Sequence, residues 1–269
     1  YIHLKAIPEA SPHLMEEAGL YADRLSVNIE LPTDIALSQF APEKNPRDIR
    51  RSMGHLRLKI EEGEPEKKAK AKPRRFAPAG QSTQMIVGAD GADDDAILAR
   101  SENLYGSFRL KRVYYSAFSP IPDASSRLPL ARPPLMREHR LYQADWLLRF
   151  YGFERSEIVA GGTDGMLDLA IDPKLAWALK NRERFPVDVN RADREMLLRV
   201  PGFGTKSVNR ILSTRRHRTL RLDDIGRLCQ SVSKVRPFIS ALDWTPGGLT
   251  DSAHLRDALV PPAQQLSLF

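Results

Sequence analysis

The chain has 269 residues, 42% of them hydrophobic and 28% charged, with 41 Lys or Arg against 34 Asp or Glu and a single cysteine. That length suits one large domain plus a small one, and the apolar fraction is enough for a core. A lone thiol, Cys229, excludes a disulfide framework or a cysteine-cluster metal site within these residues. No apolar run approaches the roughly 18 residues of a membrane span, so a soluble, cytoplasmic protein is expected.

Residues 1–125 alternate strand and helix signals. A strand is expected over Ile2–Ile7, a helix over Pro12–Leu20 with Leu14, Met15 and Ala18 inward, and a second strand where Leu25, Val27 and Ile29 alternate. A basic amphipathic helix follows over Pro46–Ile60, then a strand over Gln84–Gly88, a helix over Asp93–Tyr105 and a strand over Arg112–Phe118. Strands separated by helices imply crossover connections and a parallel sheet, as in part of a β/α barrel or an open doubly wound sheet. In either form ligands gather at the C-terminal strand ends, which here carry Lys5, Asn28, Glu30, Gly88, Asp90 and Ser116. Glu61–Gly80 is rich in Glu, Lys, Pro and Ala and reads as a mobile surface loop. The chain starts at Tyr1, inside a strand signal and without an initiator Met, so the C-terminal part of a longer protein is expected.

Residues 126–180 read as a helical connector. Its helix over Arg137–Tyr151 offers Leu141, Trp146, Leu147 and Phe150 as apolar anchors. Aromatics beside arginines suit base stacking, but at helical spacing they are expected in the core. Gly161–Gly165 fits neither nucleotide-binding pattern and reads as a turn.

A small helical domain is expected over residues 181–245. Asn190 is a candidate N-cap, with Asp193 three residues on near the positive end of the helix dipole. Pro201 stops that helix, and a new one begins after Gly204 with Val208, Ile211 and Leu212 on one face and Lys206, Arg210, Arg215 and Arg216 around it. Leu222, Ile225, Leu228 and Val232 suggest a third helix. Two glycines allow a tight turn with positive φ and let a phosphate approach the N–H groups at the next helix start. The stretch resembles a helix-hairpin-helix DNA-binding motif, which implies backbone contact by Gly202, Phe203, Gly204, Thr205, Lys206, Ser207 and Arg210. Residues 180–240 hold 15 Lys or Arg against 6 Asp or Glu, a net of +9. Such a field concentrates polyanions, and its binding weakens with salt.

Four further segments carry a second resemblance: YIHLKAIPEASPHLMEEAGLYADRLSVNIELP (1–32), PAGQSTQMIVGA (78–89), LKRVYYSAFSPIP (110–122) and REHRLYQADWLLRFYGF (137–153). Followed by the hairpin, they resemble DNA modification or repair proteins of the radical SAM superfamily that are linked to a uracil-DNA-glycosylase-like partner. The resemblance implies the C-terminal half of a β/α barrel, with a [4Fe-4S] cluster and S-adenosylmethionine at its mouth, followed by a small all-α DNA-binding domain. It also implies that Asn28, Glu30 and the Gly88 turn lie near the cofactor. The superfamily's C-x3-C-x2-C cysteines, which hold the cluster through thiolates, are not in this chain. In a longer protein they would precede Tyr1, and such a protein would generate a 5′-deoxyadenosyl radical. Without them the chain would be a non-catalytic DNA-binding adaptor. Residues 246–269 read as a flexible tail ending in Gln265, Leu266, Ser267, Leu268 and Phe269. That end resembles the peptide by which bacterial repair proteins dock on the DNA sliding clamp, with Gln265, Leu266, Leu268 and Phe269 as contacts.

Overall fold

The computed structural model describes residues 1–63, 75–122 and 125–260. It divides into two compact units, Tyr1–His139 and Arg140–Phe269. The predicted sliding-clamp peptide and most of the charged segment lie outside the described residues. No helix among the described residues is long and apolar enough to cross a membrane.

The first unit is α/β. Its strands β1 (His3–Lys5), β2 (Arg24–Ser26), β3 (Gln81–Val87) and β4 (Arg112–Ala117) form one parallel sheet in the order β1-β2-β3-β4. Between them run α1 (Pro12–Tyr21), α2 (Asp34–Phe40), α3 (Pro46–Glu62) and α4 (Asp94–Phe108). Ser11, Thr33, Asn45 and Asp93 each cap the following helix through a side-chain oxygen. Every step along the sheet goes to the next neighbour in one direction, so right-handed crossovers place the connecting helices on one face.

The strand periodicity agrees with that winding. Leu25, Val27, Ile29, Met85, Val87, Val113 and Tyr115 share one face and are buried together with Met53 and Leu56 of α3 and Ile97, Leu98 and Leu104 of α4. The alternate positions are mostly polar, His3, Lys5, Arg24, Ser26, Asn28, Ser82, Gln84, Arg112, Tyr114 and Ser116, with Ile86 the apolar exception. A doubly wound sheet buries both faces under helices and has near-continuous apolar strands. This sheet has one apolar and one polar face, the pattern of a singly wound unit.

Several local expectations are corrected. β1 is an edge strand, exposed along its length, and Leu14 is exposed while Met15 and Gly19 of α1 are buried. Gly19 is inward because Phe76 packs onto it, where a Cβ would lie 1.9 Å from the ring. Phe76 and Ala77 are themselves buried, so the end of the predicted mobile loop is anchored. α2 had no clear sequence signal.

The second unit is mostly helical: α5 (Leu135–Trp146), α6 (Arg155–Ala160), α7 (Pro173–Lys180), α8 (Arg194–Arg199), α9 (Thr205–Thr214), α10 (Leu222–Leu228), α11 (Val232–Val235) and α12 (Leu255–Leu259). The boundary between the units falls within α5. It is not all-α: β5 (Val187–Asp188) pairs in parallel with β6 (Ile239–Ser240). Its core contains an edge-to-face series, Phe153–Trp177–Phe185–Phe238, with centroids 5.5, 6.2 and 5.1 Å apart. α5 continues into a π-helical turn, Leu147–Tyr151, closed by Gly152 at φ +70°. The predicted third helix is two helices, broken at Cys229–Ser231. Gly161–Gly165 is the expected turn, in which Thr163 and Met166 pair and a Cβ on Gly162 would lie 1.8 Å from the Met166 carbonyl oxygen.

Candidate nucleic-acid interface

Asp193, not Asn190, caps α8, accepting from the Met196 N–H at 2.7 Å. Asn190 instead ties the segment down at both ends of its amide: Oδ1 accepts from the Leu220 N–H at 2.8 Å and Nδ2 donates to the Leu220 carbonyl at 3.1 Å. α8 ends at Val200, whose carbonyl accepts from the Phe203 N–H at 3.2 Å. Pro201 and Gly202 occupy the central positions of that turn, and Gly202 has φ +88°, the type II arrangement. Gly202 also needs to lack a side chain, because a Cβ there would lie 2.8 Å from Val235 Cγ2 on α11. Gly204 has φ −93°, so only the first glycine uses the left-handed region.

Gly204 occupies the N-cap of α9 and has no side chain with which to cap it. The N–H groups of that first turn therefore lack intrahelical acceptors. Nearby, burial raises the pKa of the Tyr151 hydroxyl against the opposing effect of the Thr205 backbone. Beside the turn, Lys206 and Arg210 are exposed and form no ion pair with described residues. Lys234 of α11 joins them: it is exposed, and its Cβ lies 3.4 Å from where a Gly202 Cβ would stand. Nothing in the sequence signals Lys234, because only the packing of α11 on the hairpin brings it there.

Several other cations of the basic segment are engaged within the protein, whereas Arg216 is exposed and forms no ion pair with described residues. Arg215, one of the cations expected around α9, turns inward and donates to the Val189 and Ala192 carbonyls at 3.2 and 2.6 Å. Arg218 pairs with Asp224, Arg227 with Asp223, and Arg199 is buried. Phe203, 2% exposed, is a core residue and offers no side chain to a ligand. Thr205 and Ser207 are half-buried at the start of α9.

Behind the hairpin, within the same unit, is a cavity of about 390 Å³ lined by Trp146, Tyr151, Lys174, Gly204 and their neighbours. Lys174 is 7% exposed, donates to the Phe203 carbonyl at 2.5 Å and sits 4.7 Å over the Tyr151 ring. Burial lowers its pKa to about 7, against the opposing pull of Asp172. No sequence pattern marked Lys174 or Tyr151. The expected core anchors divide: Leu141 and Leu147 are buried, but Trp146 and Phe150 are 52% and 49% exposed. Trp146 lies five residues after Leu141, about 140° around the helix, so the two do not share a face.

In the first unit, Asn28 and Glu30 lie just beyond the C-terminal end of β2, and the register slips by one residue between Ser26, opposite Ser82, and Glu30, opposite Met85. The Asn28 Oδ1 is buried with no hydrogen-bond partner among the described residues. Glu30 has φ +60° and bridges in parallel to Met85. The polar sheet face carries a chain of short contacts from His3 Nε2 to Ser26 Oγ (2.6 Å) and on to Ser82 Oγ (2.7 Å), and Lys5 donates to Gln84 Oε1 at 3.3 Å. Burial first, then the nearby Arg24 and Lys5 charges, lower the His3 pKa. Gly88, at φ +82°, is required by packing, since a Cβ would lie 2.7 Å from Pro133 Cγ. A shallow cleft of about 770 Å³ beyond the strand ends is bounded by Thr33, Gln39, Asp90, Asp93 and Arg127. Asn28, Glu30 and Gly88 do not line it.

Comparison with family models, curated proteins and solved structures gave no match for this chain.

Proposed function

We propose that the second unit grips the sugar-phosphate backbone of DNA through the hairpin between α8 and α9, without reading sequence. The observation that carries this reading is the grouping of three exposed cations, Lys206, Arg210 and Lys234, with no ion pair among the described residues, around a helix start that has no capping side chain. Anions are favoured at such helix starts, and backbone contacts position a protein without specifying sequence. The protein should bind 20-base-pair duplexes of unrelated sequence with similar affinity. Lys206→Ala with Arg210→Ala should weaken all of them by about 10- to 100-fold. Unchanged affinity in the double variant, measured by fluorescence anisotropy, contradicts the assignment.

For the first unit we propose part of a radical SAM-type barrel, which would make the whole a DNA modification or repair enzyme acting with a uracil-DNA-glycosylase-like partner. Support comes from the singly wound parallel sheet and its polar face. S-adenosylmethionine fits the end of β2 as a class of ligand: the Asn28 Oδ1, without a partner among the described residues, suits its amino group, and Glu30, two residues on, suits a cationic or hydroxyl group. The [4Fe-4S] cluster does not fit these residues. Cys229 is the one cysteine, and no group of three His, Cys, Asp or Glu among the described residues is placed to hold a metal. The reading therefore assigns the cluster thiolates to a longer chain. The single thiol favours a second reading, a non-catalytic adaptor that joins DNA to a sliding clamp through residues 265–269.

A further inference from the structure

The cavity behind the hairpin is larger than a phosphate contact needs, and its walls suggest a second ligand group. Its volume of about 390 Å³ falls within the range of small-molecule sites, about 300–1,000 Å³. Gly202 and Gly204 form part of its lining, so the cavity opens beside the same backbone turn that carries the cations. Trp146 contributes an indole that is half exposed. That indole is held edge-to-face against Phe150, with centroids 5.5 Å apart, and Arg149 covers the Phe150 ring at 4.7 Å.

The polar lining is amide rather than acid. Gln143 and Gln230 are exposed, and Gln230 has no partner among the described residues. The one carboxylate, Asp172, is occupied as the N-cap of α7. A flat indole with open surface, amides offering both donors and acceptors, and flanking cations complement one unstacked base on a phosphate chain. Aromatic platforms beside basic grooves bind single-stranded bases through stacking.

We infer that this cavity takes one unpaired nucleobase of a DNA strand held at the hairpin, with Trp146 as the stacking surface. The inference rests on the backbone-binding reading and makes its substrate class DNA with an extrahelical or single-stranded nucleotide. Two labelled 20-base-pair duplexes test it, one fully paired and one with a single-adenine bulge. The protein should bind the bulged duplex about 5- to 100-fold more tightly. Trp146→Ala should remove that preference while leaving affinity for the paired duplex unchanged, and Trp146→Phe should restore part of it. Lys206→Gln with Arg210→Gln should weaken both duplexes by the same factor. Equal binding of the two duplexes by the unaltered protein, or a bulge preference that survives Trp146→Ala, overturns the inference and leaves backbone binding intact. Binding of neither duplex overturns both.

Discussion

Arg199→Ala is expected to lower the unfolding free energy of the second unit by about 3–5 kcal/mol, the range for breaking a buried ion pair by removing one partner. The Arg199 side chain is 6% exposed, and its Nη2 donates to both Glu157 carboxylate oxygens at 3.0 and 2.9 Å. Glu195 lies 3.0 Å from Nη1, an ion pair without hydrogen-bond angles. The guanidinium also stacks over Phe153 at 4.8 Å and Trp177 at 5.6 Å. Removal would leave Glu157 without its cation and open a gap between α8, which leads into the hairpin, and α6. Lysine supplies charge but not the planar fork, so Arg199→Lys should recover only part of the loss. Urea unfolding followed by Trp fluorescence measures both variants, and a loss below about 1 kcal/mol for the alanine variant contradicts a buried structural role.

The second large effect concerns pH. Unfolded, Lys174 would titrate near the ordinary value of 10.5, whereas burial in the native protein holds it at about 7. Below pH 7 both states carry the ammonium, and the native state bears the whole cost of burying it. Between about 7 and 10.5 the native amine has lost its proton while the unfolded one keeps it, so this residue makes stability rise with pH across that window. Lys174→Met removes the contribution. Relative to the unaltered protein, the variant should be more stable at pH 6 than at pH 10 by about 2–5 kcal/mol. Loss of the bond to the Phe203 carbonyl adds a cost that does not vary with pH. A stability difference constant from pH 6 to pH 10 shows that Lys174 keeps an ordinary pKa.

The α/β order of the first unit was legible because its strands and helices carry clear periods. The order could not by itself separate a barrel segment from a doubly wound sheet. The polar residues at alternate strand positions, His3, Lys5, Ser26, Asn28, Ser82 and Gln84, speak against the doubly wound sheet, but only once the register aligns them on one face. The hairpin was legible from Pro201, Gly202 and Gly204, because turn chemistry is local. The availability of its charges was not. A count of Arg and Lys cannot distinguish Arg199 and Arg215, engaged inside the protein, from Lys206 and Arg210 at the surface. Asn190 and Asp193 are both good capping residues, and the choice between them was made by the tertiary bond of Asn190 to Leu220. Lys174 and Lys234 reach the hairpin from elements distant in sequence, so no local pattern announces them.

The most direct test of the account is the salt dependence of duplex binding. A cation that neutralises a phosphate contributes about −0.9 to the slope of log affinity against log salt concentration. Removing three such cations with Lys206→Gln, Arg210→Gln and Lys234→Gln should therefore make the slope shallower by about 2.7, with the fold unchanged by circular dichroism. If the triple variant keeps the slope of the unaltered protein, these residues do not touch DNA, and the hairpin is not where the protein holds it.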